Sequence, residues 1–254
     1  NYGNFVAYLL MGIPAGMLIA KYGYKKTALI GLAIGITGII IQWMSGQFDA
    51  KENLGLVFTI YLVGAFITGF CMCILNCVVN PMLNLLGGGG NAGNQLIQTG
   101  GVFNSAAAVA VYIIMGALIG EITPETKIAD ATPALMIALA IFIIAFIVII
   151  FTKIEEPEQA PVDTSLIKGA LKYRHFALGA LAIFLYMSVE VGTPTYINMY
   201  LVNTPELGIS AATAGLIVAV YWFMMLIGRF VGASIGGKVS SRVMITTVSI
   251  ITLI

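Results

Sequence analysis

The sequence predicts an all-α, multi-pass membrane protein whose two ends carry related helices. Three observations predict it. Of its 254 residues, 59% are hydrophobic and 9% charged, with a mean hydropathy of +1.00. Apolar runs of about 20 residues therefore recur, and no soluble domain could hide them. The cations collect on one side of those runs. A glycine-paired run closed by basic residues also occurs twice: Gly12 and Gly16 before Lys21, Lys25 and Lys26, then Gly228 and Gly232 before Lys238 and Arg242, 216 residues on. The net charge of +1 gives nucleic acid no electrostatic hold.

Taken in order, the first span covers 4–20. Its Gly12 and Gly16, four residues apart, would let one helix backbone press on another in lipid. A short basic loop follows, then a second span at 27–46. A polar loop, 47–53, leads into a third span at 54–86. Consecutive glycines hold a helix poorly, so 87–93 is expected as a flexible break. Without a Lys-Ser/Thr ending it is no nucleotide cradle. The fourth span is 94–119, followed by a loop with Glu121, Glu125, Lys127 and Asp130, and the fifth is 133–152. The longest polar stretch, 153–175, contains Pro157 and Pro161. A sixth span at 176–201 and a seventh at 210–237 follow, and an eighth begins near 243.

Charge orients these spans. Nine cations fall on one side: Lys21, Lys25, Lys26, Lys153, Lys168, Lys172, Arg174, Lys238 and Arg242. Only Lys51 and Lys127 fall on the other, with Arg229 inside a span. The crowded side is therefore cytoplasmic. Pairing the first span with the seventh gives a period of six helices, the period of a six-plus-six transporter joined by a cytoplasmic segment. On that frame 1–152 is an N-terminal bundle, 153–175 the linker and 176–254 the start of a C-terminal bundle. The sequence opens without a signal peptide and ends in an apolar run, so it reads as helices 2 to early 9 of twelve.

The chemistry-bearing residues are few. Glu190 lies about 21 Å along its span from Phe176, near the bilayer centre, where a carboxylate costs at least ~2.5 kcal/mol unless it faces a partner or a wet cavity. An acid there suits reversible protonation; a permanent, purely structural ion pair is the alternative. Gly192 and Pro194 are expected to loosen the helix beside it. Asn76, Asn80 and Asn84 fall at i, i+4 and i+8 on one helix face, and Gln98 and Asn104 add amides from the next span. Amides both donate and accept, as sugar hydroxyls require, although interhelical bonding would use them equally well. Asn84 suits a role at the cytoplasmic end. Tyr221 and Trp222 sit mid-span, where an indole offers a ring face and an N–H to a sugar; packing is the alternative. Tyr186 and Asn198 share the stripe of Glu190. Arg229 either snorkels to the interface or pairs with an acid or with helix-end carbonyls. Cys71, Cys73 and Cys77 lack a histidine or acid and read as packing residues, and His175 as a solvated loop residue. No nucleophile–base pair, metal cluster or cofactor motif can be assembled, which disfavours an enzyme.

The sequence resembles the major facilitator superfamily, and within it the fucose/glucose–galactose proton symporter family. The residues that carry the resemblance are Pro14, Ala15 and Gly16 with Tyr24, Lys25 and Lys26; Asn80, Pro81, Leu85 and Gly87; and Phe103, Asn104 and Ser105. Later matches are Arg174, His175 and Phe176; Tyr186, Glu190 and Gly192; Asn198, Tyr200 and Leu201; and Tyr221, Trp222, Met224, Met225, Gly228, Arg229, Phe230 and Gly232. Four positions depart from the pattern. Ala20 stands where the superfamily usually has an aspartate, Asn76 where the family often has a glutamate, and Leu96 and Gln98 where it favours arginine and asparagine.

The resemblance implies the major facilitator fold and import of a monosaccharide (glucose, galactose or fucose) with a proton, by alternating access. Glu190 becomes the proton-coupling candidate. Asn76, Asn80, Gln98, Asn104, Tyr186, Asn198, Tyr221 and Trp222 become candidate substrate contacts, and Gly16, Lys21, Lys25 and Arg229 candidate gating residues. The expected protein is a monomer in the bacterial inner membrane without cofactor or metal. The alternatives are a uniporter or antiporter of another small solute and a non-transporting sugar sensor.

Overall fold

The computed structural model describes residues 2–48, 50–119, 128–154, 156, 169–170, 172–204 and 209–253. Its helices are α1 (Tyr2–Ser45), α2 (Ala50–Leu86), α3 (Gly90–Ile119), α4 (Thr132–Phe151), α5 (Arg174–Asn203), α6 (Ala211–Ile235) and α7 (Ser241–Leu253), with a 3-10 turn, Ile128–Ala131, leading into α4. Among the described residues there is no strand. Among the described residues, five helical stretches are long and apolar enough to cross a membrane: Asn4–Ser45, Asn53–Leu86, Ala129–Phe151, Arg174–Asn203 and Thr213–Ile235. The expected acidic loop before α4, apart from Asp130, and more than half of the polar stretch after it, including Lys168, Pro157 and Pro161, lie outside the described residues.

The Asn4–Ser45 stretch has 42 residues. At about 1.5 Å per residue it is some 63 Å long, twice the apolar thickness of a bilayer. Gly23 divides it, with φ 86 and ψ 173, a backbone conformation open to glycine and strained for other residues. Before Gly23, Ala7 lies against Gly69, and Cys73 donates its thiol to the Tyr8 carbonyl at 3.7 Å, so this arm runs parallel to α2. After Gly23, Gly31 lies against Ile74, Gly35 against Cys71 and Gly38 against Thr68, so the second arm runs antiparallel to α2. The chain thus reverses at Gly23, and the two spans expected on either side of the lysine loop are the arms of α1.

Close approach is made elsewhere than at the pair first expected to provide it. A side-chain carbon at Gly12 or Gly16 would meet nothing within 4 Å. At Gly38 it would come within 2.8 Å of the Thr68 backbone nitrogen and 3.0 Å of the Gly64 carbonyl. Gly31, Gly35 and Gly38 form the small-residue stripe that lets the second arm press on α2. Ala15 and Ala28 from the two arms pack with Ile74 and Val78 of α2.

The helix α4 runs antiparallel to the second arm. Gly46 faces Ala129, Gly35 faces Phe142, and the Lys25 ammonium donates to the Ile150 and Thr152 carbonyls at 2.9 and 2.8 Å. Glu156, just beyond α4, accepts from the backbone N–H of Tyr24 at 3.2 Å and of Lys25 at 2.7 Å. The break at Gly23 leaves those N–H groups without helical partners. A carboxylate therefore meets one helix start while an ammonium meets a helix end, the arrangement the helix dipoles favour.

The turn between α2 and α3 is shorter than 87–93. Gly88, Gly89 and Gly90 have φ of 76, 73 and 56, and the helix resumes at Gly90, with Gly93 N–H donating to the Gly89 carbonyl at 2.9 Å. The helix α5 also corrects an expectation, since it continues unbroken across Gly192 and a buried Pro194. At the start of α6, Ser210 Oγ accepts from Thr213 N–H at 3.2 Å, as a helix N-cap does.

The chain divides into two compact units. One comprises Asn1–Ile97 with Ile114–Pro161, the other Gln98–Ile113 with Val162–Ile254. The first holds α1, α2 and α4; the second holds the middle of α3 with α5, α6 and α7.

Candidate functional site

In the second unit, α5 and α6 place an acid and a base together in apolar surroundings. Arg229 Nη2 donates to Glu190 Oε1 at 3.2 Å, with side-chain exposures of 22% and 10% respectively. Arg229 Nη1 donates to the Gly101 carbonyl of α3, also at 3.2 Å. Of its two expected courses, Arg229 takes pairing over snorkelling. Each charge supplies what the other lost on leaving water, and the shared carbonyl uses a second donor of the guanidinium fork.

Pro194 explains a further contact. Having no N–H, it cannot bond the carbonyl four residues earlier, which belongs to Glu190. Tyr221 OH donates to that carbonyl at 3.1 Å. The proline leaves α5 continuous but exposes an acceptor, and the tyrosine from α6 satisfies it. Tyr221 is thereby committed to α5, and its ring meets Trp222 edge-on at 5.6 Å. Trp222 Nε1 is buried without a hydrogen-bond partner. The Tyr186 phenol, one turn before Glu190, interacts with both Glu190 and Arg229. Gln98 lies beside Gly232, where an added side-chain carbon would be 3.5 Å from its amide.

Asn104 and Asn80 are exposed, and Asn198 is half-buried. In the first unit, exposed Asn76 donates from Nδ2 to the Tyr8 hydroxyl at 2.5 Å. Tyr8 was not singled out by the sequence, because nothing in it links positions 68 residues apart. Of the gating candidates, Lys25 bonds to the end of α4, Lys21 is exposed with its ammonium 5.1 Å from the Tyr22 ring centre, and Gly16 is exposed. The Asn84 side chain packs against Gly93 at the α2–α3 turn, at the end where the sequence placed it. Cys71 and Cys73 are buried and Cys77 half-buried, all as free thiols. Glu156 was another omission; the Gly31, Gly35 and Gly38 spacing, by contrast, was readable.

Residues 2–254 match the Major Facilitator Superfamily profile. A glucose/galactose transporter of Brucella abortus is 28% identical over 236 residues, covering 91% of this chain and 55% of that protein. An L-fucose-proton symporter of Escherichia coli is 25% identical over 257 residues, covering 90% of this chain and 56% of its own. The chain thus spans about half the length of the curated relatives it matches. The crystal structure of the E. coli Fucose:proton symporter superposes with a TM-score of 0.74 at 22% identity, covering 94% of this chain and 62% of that one. A profile match along almost the whole sequence, on the same helical fold, makes this chain a multi-pass membrane protein of the Major Facilitator Superfamily.

Proposed function

We propose that the protein imports a monosaccharide together with a proton, as a secondary transporter whose two bundles rock about a central site. The observation that carries the reading is the Glu190–Arg229 pair at 3.2 Å on two apolar helices. An ionisable pair at that depth is costly to insert and characteristic of ion pathways. The substrate class follows the sugar transporters among the relatives. On this reading 1–152 and 176–254 belong to separate bundles joined by 153–175, and Glu190 carries the coupled proton. Asn76, Asn80, Gln98, Asn104, Tyr186, Asn198 and Trp222 contact the sugar. The unpartnered indole N–H of Trp222 supplies a donor that a hydroxyl would satisfy. Tyr221 contributes by holding α6 to α5, and Gly16, Lys21, Lys25 and Arg229 act at the gate.

One observation favours a second reading. Asn76, uncharged, stands where the symporter family it resembles often has a glutamate, as an uncoupled uniporter would permit. Liposomes containing the full-length protein, tested with a panel of hexoses and deoxyhexoses, separate the readings. A symporter accumulates sugar when a pH gradient is imposed, and its Glu190→Gln variant loses accumulation while keeping counterflow exchange. A uniporter equilibrates sugar regardless of the gradient, and a sensor binds without moving it. Undiminished accumulation by Glu190→Gln would remove Glu190 from coupling.

A further inference from the structure

We propose that Arg229 is a latch between the two sequence halves, held shut by the negative charge on Glu190. The inference rests on the transporter reading above. Gly101 belongs to α3, which precedes the polar stretch 153–175, whereas Glu190 and Arg229 follow it. One guanidinium therefore holds an acid of its own half and a backbone carbonyl of the other, both at 3.2 Å. Glycine at 101 leaves room for this reach, since a side-chain carbon there would lie 3.2 Å from Arg229 Cδ.

The two bonds differ in what rocking does to them. On the reading that 1–152 and 176–254 rock as separate bundles, the bond to Glu190 lies within one half and survives the rotation, whereas the bond to Gly101 joins the halves and breaks. Proton uptake converts the Glu190 carboxylate to a neutral carboxylic acid, with no other bond made or broken. Arg229 is then a partly buried cation beside a neutral acid and one carbonyl, and a buried charge that has lost its counter-ion is strongly disfavoured. Water becomes the better partner, the guanidinium withdraws, and α3 is released. Among the described residues, Tyr186 of α5 and Tyr221 of α6 are the other titratable groups beside the pair. Residues 98–111 of α3 contain none, so the carboxyl sets the charge state of the latch.

The test uses the full-length protein in liposomes, with its native cysteines replaced and Gln98→Cys and Gly232→Cys introduced. These positions face each other in the latched state, and a short bis-methanethiosulfonate reagent bridges them. At one fixed pH, so that thiol reactivity is constant, bridging should be roughly tenfold slower when Glu190→Gln is added, the scale set by losing a bond to a charged group. Arg229→Gln should slow it as much, and the two together no further. Arg229→Lys should also be slow, because an ammonium cannot span the fork geometry, and it serves if the glutamine variants fail to fold. Equal rates with and without Glu190→Gln, a native rate for Arg229→Lys, or additive losses would overturn the latch. Uptake by Glu190→Gln decides coupling separately, so either reading can fail alone.

Discussion

At the scale of single residues, the site is shaped by an acceptor that a proline creates. Pro194 stands four positions after Glu190 and removes the N–H that would have bonded its carbonyl, and Tyr221 supplies the replacement at 3.1 Å. Tyr221→Phe should lower thermal stability in detergent by about 1–3 kcal/mol, the cost of leaving a buried acceptor unpaired. Pro194→Ala restores the N–H within α5, so in its background Tyr221→Phe should cost little. A full loss in the double variant would show that the hydroxyl acts otherwise. The proline was visible in the sequence, and its four-residue offset from Glu190 names the orphaned carbonyl. The donor was not legible, since Tyr221 lies 31 residues away on another helix. Tyr8, which meets Asn76, escaped for the same reason.

At the scale of helices, two devices organise the first unit, and each can be tested. Gly38 lies where an added carbon would be 2.6 Å from Thr68 Cγ2. Gly38→Ala should therefore destabilise by about 1–3 kcal/mol through overpacking, read as a lower melting temperature in detergent. Gly12→Ala, with nothing within 4 Å, should be neutral or slightly stabilising, because alanine in a helix is favoured over glycine by about 0.5–1 kcal/mol. The second device is the crossed capping of Lys25 and Glu156. A double-mutant cycle with Lys25→Ala and Glu156→Ala should show favourable coupling of about 0.5–2 kcal/mol, since both serve helix ends at one junction. Strictly additive losses would mean the two contacts are independent. Ala20 stands where the superfamily usually has an aspartate, and here the carboxylate that meets the Gly23 turn comes from beyond α4 instead.

At the scale of the whole molecule, the charge asymmetry is a claim about orientation. Lys26 is exposed at the turn between the arms of α1. Lys26→Cys should react with an impermeant thiol reagent only from the cytoplasmic face of sealed membranes. Reaction from the outside would invert the topology. Hydropathy, charge placement and the Gly87–Gly90 run were enough to establish a helical membrane protein and the ends of most helices, because each depends on residues close together in the chain. The partners of Glu190 and Arg229, the acid that meets the Gly23 turn and the choice of Gly38 over Gly12 for close packing depended on the folded chain. A hydrogen bond or a steric limit is set by distances of a few ångströms between residues far apart in sequence, and those distances exist only once the helices have packed.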